Sequence, residues 1–440
     1  MVAARPRPQQ GQHLLLPLLG DGNGGMASPV GEGVEGAASA GAAGEWQVGG
    51  GPRLRWRRRR VAEPAGVACA RVDSKAPPLE EVWLEDLAPH GLRVLVGSVG
   101  CCLQRVLAAD AAGAHADVVL GYESVTQYLP GQGQRPNYGS TVGRYANRVK
   151  EARFSLDGVE YRVGANNGRH ALHGGEGGLY GRRFRVERLV AGPGAVSVLL
   201  SYDSPDGEEG YPGAVRFSTA YTVTSGGALG MEMCAQLLPG QRHRKTVVSL
   251  LNHAFWNLGG HSSGPVLGHW LRVNADRYTP VDSELIVTGA KLPVEGSPLD
   301  LRVPRELRAV VAELPLDHNF CLRAHGCDQQ LEWEHADGAD RSRLPLAAWL
   351  ALPGRRAMTV FTNMPGLQVY TGGFIDANRP AWWRGKGGAL YDKHHAICLE
   401  AQLWPDAVNN LDNGFPSPVL LEGELHRNLV VHVFSPFPAL

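Results

Sequence analysis

The chain has 440 residues, a formal net charge of zero and 43% hydrophobic residues. That is enough apolar material for a large core. The neutral balance leaves no basic excess that would hold nucleic acid and no acidic excess that would keep the chain unfolded, and no apolar run approaches the roughly 20 residues of a membrane-spanning helix.

Residues 1–80 differ in texture from the rest. GDGNGGMASPVGEGVEGAASAGAAGEWQVGGG is rich in Gly and Ala with no periodic apolar pattern, and RLRWRRRR at 53–60 is a basic run. This composition predicts a disordered or targeting tail on a domain spanning 81–440, with the arginines as a solvated charge run. The expected location is cytoplasmic, or a plastid where the tail serves as a transit peptide. Glu32, Glu35, Glu45 and the scarcity of serine argue against a transit peptide.

From about residue 85 short strands follow one another. ARFSLDGVEYRVG carries apolar residues on both sides of Asp157-Gly158, a two-residue hairpin signal. VSVLLSYDS, VRFSTAYTVT, LGMEMCAQLL and TVVSLLNHAFWNL continue the pattern, and Ser225-Gly226-Gly227 joins two of them. Only PRELRAVVAEL at 304–314 reads as a helix, with Pro304 at its start. Stretches 324–357 and 377–388, rich in Gly, Pro and charge, read as inserted surface loops. Many antiparallel strands and almost no helix predict an all-β fold, a large antiparallel β-sandwich or barrel. The seven cysteines show no C-x-x-C pair and no spacing typical of a metal site, so they read as reduced core thiols.

Near the C-terminus, ICLEAQLWPDAVNN raises a specific problem. On an extended strand Ile397, Leu399, Ala401 and Leu403 share one face, while Cys398, Glu400, Gln402 and Trp404 share the other. The second face is either plain solvent surface or a polar cleft. A carboxylate, an amide and an indole among apolar neighbours suit a cleft for a polar ligand. Five further places carry polar residues that a core does not need: His253 in LNHAFWNLGG, His173 in RHALHGGEGG, Asn147 and Arg148 in NYGSTVGRYANRVK, Asp317 in PLDHNF and Gln368 in GLQVYTGGF. For each, a hydrogen-bonded structural role competes with a functional one. As a set they offer amides, carboxylates, imidazoles and one guanidinium, without a phosphate loop or a nucleophile elbow. Such a set suits a neutral, hydroxyl-rich ligand, and an imidazole with a carboxylate supplies one acid and one base.

Taken in order, NYGSTVGRYANRVKEARFSLDGVEY, NNGRHALHGG, SPDGEEGYPG, LNHAFWNLGG, LDHNF, GLQVYTGGF and CLEAQLWPDAVN resemble the blocks of the aldose 1-epimerases, or galactose mutarotases, over roughly residues 85–437. The resemblance implies a galactose mutarotase-like supersandwich, no metal and no organic cofactor, and interconversion of the α and β anomers of free aldohexoses. It implies catalytic roles for His253 as general acid and Glu400 as general base, and sugar binding by Asn147, Arg148, His173, Asp317 and Gln368. The expected partner is a small-molecule aldose, with no nucleic acid or membrane partner and the chain a monomer or weak dimer. One departure is Thr371-Gly372-Gly373 where the family usually reads TGN. Two alternatives stand beside this expectation: a hexose-phosphate epimerase, with Arg355, Arg356, Arg384 or Lys386 as phosphate clamp, and a catalytically silent sugar-binding homologue.

Overall fold

The computed structural model describes residues 43–47, 53–63, 76–130, 136–192, 194–323, 329–334, 341–378 and 384–438. The tail reading lies outside the described residues at 1–42, 48–52 and 64–75. The basic run, however, is described, and it is not a solvated charge run. Arg53–Arg60 is a strand paired antiparallel with Glu80–Asp86. Arg55 and Arg57 hold Glu85 at 2.7 and 2.8 Å, Arg58 holds Glu80 at 2.7 Å and Arg59 reaches Glu81. Leu54 is buried in the main core and Trp56 packs against it. The alternation of apolar 54 and 56 with arginine is a strand signal. It was outweighed by charge because the acceptors lie more than 20 residues away and only pairing brings them opposite.

Three antiparallel sheets carry most of the chain. A six-stranded sheet contains the two strands just described. A ten-stranded sheet runs in the order Arg185–Gly192, Ala195–Ser204, Val215–Thr224, Ala228–Leu237, His426–Pro436, Arg356–Thr362, Arg341–Leu352, Trp270–Val273 and Arg305–Glu306, with Gln330–Glu334 pairing to Arg341–Leu352. A second six-stranded sheet orders Phe255–Trp256, Ile397–Gln402, Gly366–Tyr370, Asp317–Leu322, Ala275–Thr279 and Leu292–Pro293. One apolar cluster joins all three: Leu84 and Val94 from the first, Val198, Phe217 and Met233 from the second, Leu367, Ile397 and Leu399 from the third. The fold is a large antiparallel β-sandwich, as expected from the sequence.

The Asp157-Gly158 hairpin forms as predicted. Leu156 pairs with Val159, and both turn residues have positive φ, the conformation that a two-residue turn between twisted strands demands. Ser225, Gly226 and Gly227 likewise join their two strands. The helix is shorter than expected, Leu307–Glu313, because Arg305 and Glu306 join the ten-stranded sheet first.

The two expected loops need correction. Much of 324–357 is strand: LPLAAWLAL lies within Arg341–Leu352, where Leu344, Leu346 and Leu350 are buried. In 377–388, residues 379–383 lie outside the described residues, but Lys386 is fully buried. Its Nζ donates to Asp117 at 2.7 Å and to the carbonyls of Gln104 and Val119 at 2.8 and 2.6 Å. Burial pushes this lysine down to about 8, against the pull of Asp117. Arg356 is also buried and donates to the carbonyls of Ala108, Leu258 and Ala114. Both cations are committed to holding backbone, so neither is available as a phosphate clamp. Lys386→Met should leave the buried Asp117 with Arg105 at 3.3 Å as its remaining cation among the described residues, beside the Val106 amide at 3.1 Å. Breaking a buried pair costs about 3–5 kcal/mol, and the remaining arginine points to the lower end. Denaturant unfolding at neutral pH checks this. An unchanged midpoint with unchanged slope contradicts it.

Candidate active site

The second six-stranded sheet has one face in the core and one face that is polar. Phe320, Leu367, Val369, Ile397, Leu399 and Ala401 point into the apolar cluster. Burial of each of the larger side chains, Ala401 aside, contributes about 1.5–3 kcal/mol, so a few of them offset the desolvation of polar groups on the opposite face. That opposite face is set by register. Thr279 stands opposite Asn319, Asn319 opposite Gln368, and Gln368 opposite Glu400, a polar row across four strands. Asp317, two residues before Asn319 on its strand, falls on the same face, and its Oδ1 accepts from Gln368 Nε2 at 2.6 Å. Phe255 pairs with Cys398, so His253, two residues earlier, approaches Glu400 from the adjacent strand.

His253 Nδ1 lies 3.3 Å from Glu400 Oε1 and 3.7 Å from Cys398 Sγ. The Phe255 ring stacks flat on the imidazole, with centroids 4.8 Å apart. Glu400 is 2% exposed, and among the described residues no arginine or lysine pairs with it. Desolvation first, and the Asp317 carboxylate second, push its carboxyl well above the usual range. Desolvation also pushes His253 down to about 4. Burial thus opposes a charge on either group. At 3.3 Å the two groups stand close enough to exchange a proton and to titrate as a pair.

His173 faces His253 edge-on, with ring centroids at 5.3 Å. Its Nδ1 accepts from the Asn147 amide at 3.2 Å, and burial pushes its charge-bearing form well down. Asn147 and His173 both have positive φ, an unfavourable conformation for non-glycine residues that the surrounding contacts hold. Asn147 Oδ1 accepts from the Arg148 amide, and Arg148 Nε donates to Asn167 Oδ1 at 3.2 Å. All seven residues singled out in the sequence thus converge on one region.

Space and unsatisfied polar atoms mark the same region. Asn147, Arg148, Asp317, Asn319 and Gln368 line a narrow pocket of about 10 Å³. A wider cavity of about 510 Å³ is lined by Tyr128, Asn137, Asn166, Asn167, His173, Glu176 and Tyr180 among others, and so shares His173 and Asn167 with the contacts just described. Its size is that of an ordinary small-molecule site. Asn319 Oδ1, Gln368 Oε1 and both amide atoms of Gln402 are buried without a hydrogen-bond partner. Orphaned amides along one sheet face are what a hydroxyl-bearing ligand would satisfy.

Sequence reasoning missed Cys398 as a neighbour of the imidazole and Phe255 beneath it; it named Asn319 with Asp317 and His318 but gave it no role. The period-2 alternation of DHN and CLE held the signal for Asn319 and Cys398. It misassigned Trp404, because the strand ends at Gln402. Trp404 instead donates to the Pro365 carbonyl at 2.9 Å and packs edge-on against Phe415.

The sequence matches the family model described as aldose 1-epimerase over residues 85–431. It is 37% identical to the galactose mutarotase of Sus scrofa over 349 residues, 78% of this chain and 91% of that one, with the same values for the Homo sapiens protein. The aldose 1-epimerase of Haemophilus influenzae is 34% identical over 62% of this chain and 73% of its own. Among solved structures, an aldose epimerase homologue from C. elegans superposes with a TM-score of 0.67 at 27% identity, covering 79% of this chain and 97% of that one. On the family model and these relatives together, the chain belongs to the aldose 1-epimerase family.

Proposed function

We propose that the protein interconverts the α and β anomers of free aldohexoses such as galactose and glucose. The observation that carries this reading is the buried His253–Glu400 contact at 3.3 Å, beside unsatisfied amides. Ring opening needs a proton taken from the anomeric hydroxyl and a proton given to the ring oxygen. The pair reacts carrying one proton, held on the imidazole across the 3.3 Å contact. Glu400, as carboxylate, takes the hydroxyl proton, and His253, as imidazolium, protonates the ring oxygen as the C1–O5 bond breaks. The aldehyde rotates about C1–C2. The reverse transfers close the ring on the other face and restore the pair. Asn147, Arg148, His173, Asp317 and Gln368 hold the hydroxyls. Burial penalises this imidazolium–carboxylate form, and the attraction between the two charges at 3.3 Å offsets part of the penalty.

The hexose-phosphate alternative loses two of its four candidate cations, Arg356 and Lys386, to buried backbone contacts, and the galactose mutarotase relatives do not favour it. Magnetisation exchange between the anomeric protons, measured by NMR, should show acceleration for D-galactose and D-glucose and little for D-glucose 6-phosphate. A preference for the phosphate contradicts the reading.

Asp317→Asn should raise KM about tenfold or more, since hydrogen bonds to a charged group are worth about 1.5–3 kcal/mol. It should also move the alkaline limb of the rate profile down, because Asp317 helps push Glu400 up. Initial rates across sugar concentration and pH check both effects; a change in neither contradicts the assignment.

The pH profile has a definite sign. The active pair carries one proton. Activity is lost at acid pH when a second proton arrives, and His253, depressed to about 4, sets that limb well below the usual histidine range. It is lost at alkaline pH when the pair surrenders its proton, above the usual carboxyl range. An acid limb of kcat/KM between pH 6 and 7 contradicts this picture.

A further inference from the structure

We infer that His253, Cys398 and Glu400 form a binding site for a soft divalent cation of the zinc class, one that blocks the acid–base pair. The Nδ1, Sγ and carboxylate oxygen of these three buried residues all lie within 4.8 Å of one another. Around a tetrahedral zinc ion, bonds of about 2.0–2.1 Å to nitrogen and oxygen and about 2.3 Å to sulfur put ligand atoms about 3.3 Å apart on an N–O edge and about 3.6 Å apart on an edge to sulfur. The observed Nδ1–Oε1 and Sγ–Nδ1 separations are 3.3 and 3.7 Å. The donors thus already stand close to two edges of such a tetrahedron. The chemistry selects the ion: a thiolate and an imidazole favour zinc-class cations over magnesium or calcium, which prefer oxygen. Three protein donors leave a fourth position for water.

The linear sequence conceals the site because His253 precedes Cys398 by 145 residues, in the short link before the strand Phe255–Trp256. Pairing of Phe255 with Cys398 brings them together. Binding is a proton exchange. The thiol proton and the proton shared by His253 and Glu400 leave to the buffer as the three donors ligate the metal. The bound ion then occupies the atoms that would carry protons to and from the sugar. The effect on rate rests on the function proposed above; the site itself does not.

The test therefore uses two readouts on the full chain. Cobalt(II), titrated as a spectroscopic probe, should produce a thiolate-to-cobalt charge-transfer band that saturates at one equivalent. That band should vanish in Cys398→Ala, and in Cys398→Ser should either variant fold poorly. In parallel, zinc is titrated against the anomerisation rate, each variant normalised to its own zinc-free rate. The half-inhibitory zinc concentration should rise at least about tenfold in Cys398→Ala, a loss at least as large as is usual for perturbing a ligand's supporting shell. Cys321→Ser, which alters a thiol elsewhere in the same sheet, should leave both readouts unchanged. Cobalt binding without the band, a band that survives loss of Cys398, or equal zinc sensitivity of Cys398→Ala overturns the proposal. Should the chain fail to accelerate anomerisation, the cobalt titration still decides the metal site, so the two failures remain separable.

Discussion

Glu400→Gln should lower kcat for anomerisation by about 10³-fold, within the 10²–10⁴-fold range of a positioned general acid or base, with little change in KM. The substitution keeps the shape and the hydrogen-bonding capacity of the side chain and removes only its ability to exchange a proton. It should not cost stability. Glu400 is buried and its carboxyl is pushed well above the usual range, so the folded state prefers it protonated. A raised group contributes stability that is fully present below its unfolded value, here 4.5, and is lost as pH rises through the folded value. The neutral amide has no such dependence. Glu400→Gln should therefore be at least as stable as the parent at neutral pH, and its advantage should grow toward alkaline pH. Circular dichroism melts at several pH values alongside rate measurements separate the two effects. A slow variant that is also unfolded would say nothing about catalysis, whereas a folded, slow one assigns the proton transfer.

His253→Asn should lose about 10²–10³-fold in kcat by the same argument. The asparagine retains a polar group near Glu400 but cannot relay a proton. The double variant carries the sharper information. If the two residues act as one proton-sharing unit, as the 3.3 Å contact implies, removing the second partner should add far less than its single effect. Multiplicative losses would mean that they act independently and would contradict the shared-proton account. The flat stacking of Phe255 on the imidazole sets ring orientation, so Asn at 253 also tests whether the site tolerates loss of that stack.

Much of this site was legible in the sequence, for a physical reason. Strand alternation fixes which face a side chain takes, so ICLEAQ alone separates the core face of Ile397, Leu399 and Ala401 from the polar face of Cys398 and Glu400. The Asp157-Gly158 hairpin was equally readable, because the turn's backbone requirement is local. Features that depend on a distant partner were not. The arginines of 53–60 look solvated until Glu80, Glu81 and Glu85 stand opposite them. Lys386 looks like a loop residue until Asp117 and two carbonyls receive its ammonium. The charge state of the His253–Glu400 pair depends on burial, which no spacing reveals. Trp404 shows the limit of alternation itself: the pattern holds only while the strand continues.

The central claim is that Glu400 is the proton-accepting group of a sugar anomerase. The most direct measurement is polarimetry of freshly dissolved α-D-galactose with equal amounts of the parent protein and Glu400→Gln, against buffer alone. The account predicts a rapid approach to anomeric equilibrium with the parent and a time course close to buffer with the folded variant. A parent indistinguishable from buffer, or a Glu400→Gln variant as fast as the parent, would contradict it.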